Sequence, residues 1–345
     1  MRSKEETLEQ AVIELPTSAK TLYIIGNGFD LYHELDTSYS SFGLFLKENH
    51  YEIYEYFIKY FGLPELDEKD KESFQDPLWS HFEESLATLN IEEVLDDHID
   101  FIAKPFSDSF RDGDWHTIEV MVCDIRDALT IKMVDSFKSF INQVKYPLLI
   151  ENKKLKIESE SIFLNFNYTH TLKYFYKIPS NNILFIHNNG DSKEPLILGH
   201  GINPDKFENE NDKPPIGLTR EQLIDWHETR SDRYDLSIER GKITLMEYFK
   251  KSFKSTSLIL KNHAEFFNSL GNISKVIILG HSLSEIDRPY ISKIICSTNA
   301  DAKWLVSFHK PEEINIRKKR LIELGLKEEQ ISMIKISDLT KNKQH

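Results

Sequence analysis

Four short stretches concentrate the residue types that handle ligands and protons. They are Gly26-Asn27-Gly28-Phe29-Asp30, Asn165-Phe166-Asn167-Tyr168-Thr169, His187-Asn188-Asn189-Gly190-Asp191, and Gly280-His281-Ser282-Leu283 with Asp287. Each follows a short apolar run of the kind that forms a buried strand. In an open α/β sheet, ligands sit in the crevice at the carboxyl ends of the strands. Polar clusters delivered there by four separate strands predict one shared pocket. The paired glycines permit a sharp turn and let a ligand approach backbone N–H groups. A full dinucleotide fingerprint wants a third small residue, and Leu31 stands where it should be.

Within these clusters the side chains suggest roles. Asparagine is disfavoured in strands and offers both a donor and an acceptor. Asn165 either caps the helix expected near Tyr168 or meets a ligand; Asn167, in the turn itself, suits a sugar hydroxyl or an attacking water. Histidine titrates near neutrality, so His187 beside a ribose would take a proton from a hydroxyl or a water. A hydrogen-bonded structural role is the alternative for His187, and His200 is its rival, since the flanking Gly199 and Gly201 let it approach a ligand or a hinge. Asp287 would bind a ribose or only an N-cap amide. His281, Ser282 and Asp287 hold the residue types of a hydrolytic triad, but the G-x-S-x-G elbow is missing. No Walker motif and no metal-ligand spacing occurs, so no metal is expected.

These residues need a scaffold. Thr21–Ile25 (TLYII) is a β-branched, apolar run ended by glycine, the mark of a buried parallel strand. Polar residues Asp30, His33, Glu34 and Asp36 then read as a loop leading to Thr37-Ser38, N-caps for a helix starting near Tyr39. Further strands are expected at 161–166, 182–187, 195–198, 275–279, 303–308 and 331–336, with helices after Glu285 and around 312–324. Strands alternating with helices predict an α/β, Rossmann-like parallel sheet. Two blocks interrupt it with apolar residues at helical spacing. The expected division is a core of 17–50, 159–202 and 272–340, with large helical insertions at 51–158 and 203–271. Residues 63–75 and 203–215 read as polar loops, and residues 1–20 as a short amphipathic helix with no signal peptide.

Composition narrows the function classes. A net charge of −13 argues against binding nucleic acid through its phosphates. The basic run Arg317-Lys318-Lys319-Arg320 reads as a solvated helix face. Two cysteines cannot build a disulfide framework and suit a reducing cytoplasm. No apolar run approaches the roughly 18 residues of a membrane span.

In order and wording, Ile25-Gly26-Asn27-Gly28-Phe29-Asp30-Leu31 with Thr37-Ser38-Tyr39, Asn165-Phe166-Asn167-Tyr168-Thr169, and Gly280-His281-Ser282-Leu283 with Asp287 resemble the AbiH family of anti-phage abortive-infection proteins. Within that pattern Glu34 stands where a glycine is common. More distantly, the layout resembles the sirtuin-like NAD-binding domain. That resemblance implies phosphates at Gly26 and Gly28, Asn167 as the catalytic-type asparagine, His187 as general base, and Gly280 and Ser282 on the adenosine side. Thr169 replaces the usual Asp of the sirtuin pattern, and Asn188 the Gly after the histidine. The zinc-binding cysteines of the deacylases are missing. The expectation is an anti-phage effector that binds NAD or NADP and hydrolyses the nicotinamide–ribose bond. The alternative is a nucleotide-binding module without catalysis, and a nuclease is weaker still. A phage-derived or host protein trigger and a homo-oligomer are expected as partners.

Overall fold

The computed structural model describes residues 20–70, 73–101, 111, 113, 116–148, 153–207, 217–222 and 236–340. The chain divides into two compact units. One comprises Met1–Asp36, Lys145–Asn189 and Thr256–His345, the other Thr37–Val144 and Gly190–Ser255.

The first unit is built on a sheet. Its strands are β1 (Thr21–Ile25), β2 (Ile162–Asn165), β3 (Ile183–Phe185), β4 (Lys275–Leu279), β5 (Lys303–Phe308) and β6 (Ile331–Lys335). They lie in the order β3-β2-β1-β4-β5-β6, every neighbouring pair parallel. The fold is therefore α/β and Rossmann-like. All five residues of β1 are buried, because β1 is central and both its faces are covered. Opposite each other in the β1–β2 register, Tyr23 and Phe163 stack with ring centroids 5.0 Å apart. Ile25, Phe29, Leu172, Ile277 and Leu279 belong to the same core. The order reverses at β1, which is flanked by β2 and β4, and this makes β1/β4 the topological switch point.

The helices that frame the carboxyl edge are α1 (Asn27–Tyr32), α2 (Thr171–Tyr176), α3 (Arg288–Ser297) and α4 (Glu313–Glu323). Two expectations are corrected here. The stretch after the first strand was read as a polar loop, but α1 starts directly behind Gly26 and ends at Tyr32. The helix after Asn167 starts at Thr171, not near Tyr168.

The second unit is helical, as the spacing of its apolar residues predicts. Its longest helices are Tyr39–Asn49, Tyr51–Phe61, Thr117–Asp127, Met133–Gln143 and Leu236–Lys251. Ser38 caps the first of them, its hydroxyl accepting the Ser41 N–H at 3.0 Å. Gly62, at φ 66, ends the second in the left-handed turn that glycine takes without strain. Phe42, Phe57, Trp79 and Phe82 form an aromatic core. The strand expected at 195–198 does not form. Leu196 and Leu198 are buried, so the apolar run is spent on packing, and only His200 pairs, in an isolated bridge with Phe253.

The units part at 36/37, 144/145, 189/190 and 255/256. The helix of residues 39–49 goes with the helical unit because Phe42 packs on Phe137 and Phe140 there. Helices Thr256–Asn262 and Ala264–Asn268 go with the sheet unit, where both contact α3. The helix expected over residues 1–20, the tail beyond 340 and most of the 203–215 loop lie outside the described residues.

Candidate functional site at the carboxyl edge of the sheet

Around the switch point two backbones are pressed together. A Cβ on Gly26 would lie 2.6 Å from the His281 Cα, one on Gly28 2.9 Å from the Gly280 Cα, and one on Gly280 2.0 Å from the Phe29 nitrogen. Gly26 is extended, at φ −125, so its glycine character serves close approach rather than an unusual turn. Gly280 needs both, since it also sits at φ 65. The Gly26 N–H donates to the Leu279 carbonyl at 3.0 Å and the Gly28 N–H to the Gly280 carbonyl at 2.8 Å. The sirtuin resemblance implies phosphates at these two glycines; here their N–H groups tie the start of α1 to the end of β4 and the turn after it. Phe29 is fully buried in the sheet core, whereas Asn27 is half-buried.

The turn after β4 is braced from several sides. Gly280 N–H donates to Ser307 Oγ at 2.8 Å, and Leu283, at φ 56, donates its N–H to His281 Nδ1 at 2.9 Å. Arg320 of α4 donates to the carbonyls of Ser282 and Leu283 at 3.1 and 2.9 Å. Arg317 donates to the Ser307 carbonyl and pairs with Glu313 at 2.8 Å. The two arginines of the basic run are therefore turned inward, which corrects its reading as a solvated face. Burial lowers the pKa of Arg317. The sequence held no signal for this, because the carbonyls that Arg320 meets are about 40 residues away in the chain.

His281 is buried and its tautomer follows from its partners. Nδ1 accepts the Leu283 N–H, so the proton is on Nε2, which faces Asp287 Oδ2 at 3.4 Å. Ser284 Oγ donates to the same carboxylate oxygen at 3.0 Å. Asp287 occupies the N-cap position of α3 but makes no side-chain cap bond. Ser282 is exposed and its carbonyl is what the turn uses. The residue types of a triad are present without its geometry.

Behind β2 the polar groups are interlocked. Asn165 Oδ1 accepts the Asn167 N–H at 3.1 Å, folding the turn on itself rather than capping a helix. Asn167 Nδ2 donates to the Gly26 carbonyl at 3.1 Å and so joins the ends of β2 and β1. Thr169 Oγ1 donates to Asp30 Oδ2 at 2.5 Å and lies 3.0 Å from Thr171 Oγ1. Asp30 is 1% exposed, and its other oxygen, Oδ1, has no hydrogen-bond partner among the described residues. Burial raises its pKa to about 6, against hydrogen bonds from Thr169, Thr171 and Asn167 that favour the carboxylate.

Aromatic rings connect the two sides. Phe166 stands edge-on to His281 at 4.4 Å and to His187 at 5.4 Å. His187 also meets the rings of Tyr168 at 6.2 Å and Tyr290 at 5.8 Å. The sequence gives Phe166, Tyr168 and Tyr290 no role of their own, because what brings Tyr290 of α3 to His187 is a contact across about 100 residues. Asn188, at φ 65, turns the chain immediately after His187. The rival His200 belongs to the helical unit, where Nε2 donates to the Phe249 carbonyl at 3.1 Å and burial lowers its pKa.

Among the described residues no group of three or more His, Cys, Asp or Glu side chains is placed to hold a metal ion. The AbiH profile, described as bacteriophage abortive infection AbiH, matches residues 22–308, from β1 to the last residue of β5. The chain belongs to the AbiH family. Its role is thereby in abortive infection, the defence of bacteria against phage. Searches of curated proteins and of solved structures returned no match to this AbiH chain. None of its helices, among the described residues, is long and apolar enough to cross a membrane.

Proposed function

We propose that this AbiH chain binds NAD or NADP at the carboxyl edge of the sheet and hydrolyses the nicotinamide–ribose bond during infection. One observation carries the reading: Asp30, Asn167, Thr169 and His187, delivered by β1, β2 and β3, are all 5% exposed or less. Buried polar groups gathered at the switch edge of a doubly wound sheet are what a nucleotide pocket requires. Two departures from the sirtuin pattern are compatible with it. Asn188 takes the left-handed conformation that a glycine there would take, and Thr169 is joined to a carboxylate through Asp30.

In the proposed reaction a water oxygen bonds to C1′ of the ribose as the C1′–N bond breaks. Nicotinamide leaves with the bonding electrons, and the transition state is oxocarbenium-like. Asn167 orients the water or a ribose hydroxyl, and His187 accepts the proton the water gives up. The edge-on rings of Phe166 and Tyr290, with the tilted ring of Tyr168, would keep bulk water from His187. Loss of the cofactor would halt the infected cell. The proposed partners are the dinucleotide, a phage-derived or host protein trigger met through the helical unit, and a second copy of the chain.

The test is nicotinamide release from NAD and NADP by purified protein, with and without lysate from infected cells. Wild type should release nicotinamide, while Asn167→Ala and His187→Ala, folded by circular dichroism, should not. Unchanged release by Asn167→Ala refutes the assignment. The near-complete burial of Asn167 and His187 favours a second reading, a module that holds a nucleotide without cleaving it. Intact nucleotide recovered with the protein, together with no release under either condition, would support that alternative.

A further inference from the structure

We propose that Asp30 Oδ1, at the carboxyl end of β1, accepts a ribose hydroxyl of the bound dinucleotide. This rests on the nucleotide-binding reading above and names the chemistry that one of its residues recognises.

A carboxylate oxygen buried without a partner costs free energy that a native structure does not leave unspent without reason. Asp30 is anchored, not adrift: Thr169 holds Oδ2, and Asn167 and Thr171 stand beside it. The side chain is thereby oriented with one oxygen engaged and the other buried without a hydrogen-bond partner among the described residues. Among the described residues its polar neighbours are the neutral side chains of Thr169, Thr171 and Asn167. A buried carboxylate among neutral donors repels phosphate oxygens by charge. It accepts an uncharged O–H donor. A dinucleotide offers such donors only on its two riboses and, as N–H, on its base and carboxamide. Next to Asn167, which joins the β1 and β2 ends, a sugar hydroxyl is the group that a carboxylate and an amide grip together.

The experiment compares NAD with its four single-deoxy analogues, each lacking one ribose hydroxyl, by calorimetric titration of wild type and Asp30→Asn. Asparagine keeps the shape and removes the charge. Wild type should bind one analogue about 10- to 150-fold more weakly than NAD, the range for a hydrogen bond to a charged group. Asp30→Asn should bind NAD more weakly by a similar factor and show little further loss with that analogue. Four analogues that all bind wild type as NAD does would overturn the proposal, and this arm does not depend on the variant folding. Equal loss of the same hydroxyl in wild type and Asp30→Asn would also overturn it. Failure of NAD to bind at all removes the nucleotide reading along with this one. A flat analogue series with firm NAD binding removes this one alone.

Discussion

His33 and Asp30 sit one helical turn apart, and burial pushes their proton affinities in opposite directions. The His33 imidazole falls from 6.5 to about 4, chiefly through burial. Its Nδ1 donates to the Phe29 carbonyl at 2.7 Å, so Nε2 accepts from the Tyr176 hydroxyl at 2.6 Å and the neutral ring is satisfied. Asp30 rises from 3.8 to about 6. Between about pH 4 and 6 the unfolded chain therefore carries a proton on His33 and none on Asp30, while the folded chain carries one on Asp30 and none on His33. For His33 the unfolded state binds the extra proton, so its contribution is present above 6.5 and lost as pH falls toward about 4. For Asp30 the folded state binds it, so its contribution is full below 3.8 and lost as pH rises to about 6. Each slope is about 1.4 kcal/mol per pH unit, on the order of 3 kcal/mol over its window. Both groups are nearly sealed from solvent, at 2% and 1% exposure, so screening removes little. The two slopes cancel in wild type. Urea unfolding across this range should expose them singly. Relative to wild type, His33→Gln should lose stability as pH rises and Asp30→Asn should gain it, each by about 1.4 kcal/mol per unit, with the double variant parallel to wild type. Single variants that run parallel to wild type at every pH would refute the reasoning, however much stability they lose overall.

Other positions give simpler expectations. Glu34 holds φ 61 and its side chain makes an exposed ion pair with Lys153, so Glu34→Gly should raise the free energy of unfolding, read from urea titration, by up to about 1 kcal/mol. A fall of that size would mean the ion pair outweighs the backbone. Gly28→Ala sets a Cβ 2.9 Å from the Gly280 Cα and should cost about 1–3 kcal/mol in chemical denaturation. Arg320→Ala releases the Ser282 and Leu283 carbonyls, and amide exchange at Leu283 should quicken about tenfold.

Local pattern determined a good deal here. TLYII and KVIIL read correctly as strands of a buried parallel sheet, β-branched apolar runs that glycine ends. Ser38 announced its helix, and the 3.6-residue spacing of the insertions announced theirs. The parallel order of the sheet and the polar residues at its carboxyl edge followed from strands alternating with helices. The same signals misled at 195–198, where an apolar run meant burial alone, and at 27–32, where polar residues in a helix resembled a loop. What tertiary structure alone decided was who meets whom. Asp30 finds Thr169 across 139 residues, and Asn167 finds the Gly26 carbonyl across 141. Gly26 and Gly28 turned out to make room for another backbone, and Arg320 to grip a turn rather than face water. Periodicity records which side of an element is buried, an average over many neighbours. A hydrogen bond depends on one neighbour, fixed only when the sheet order brings distant ends together.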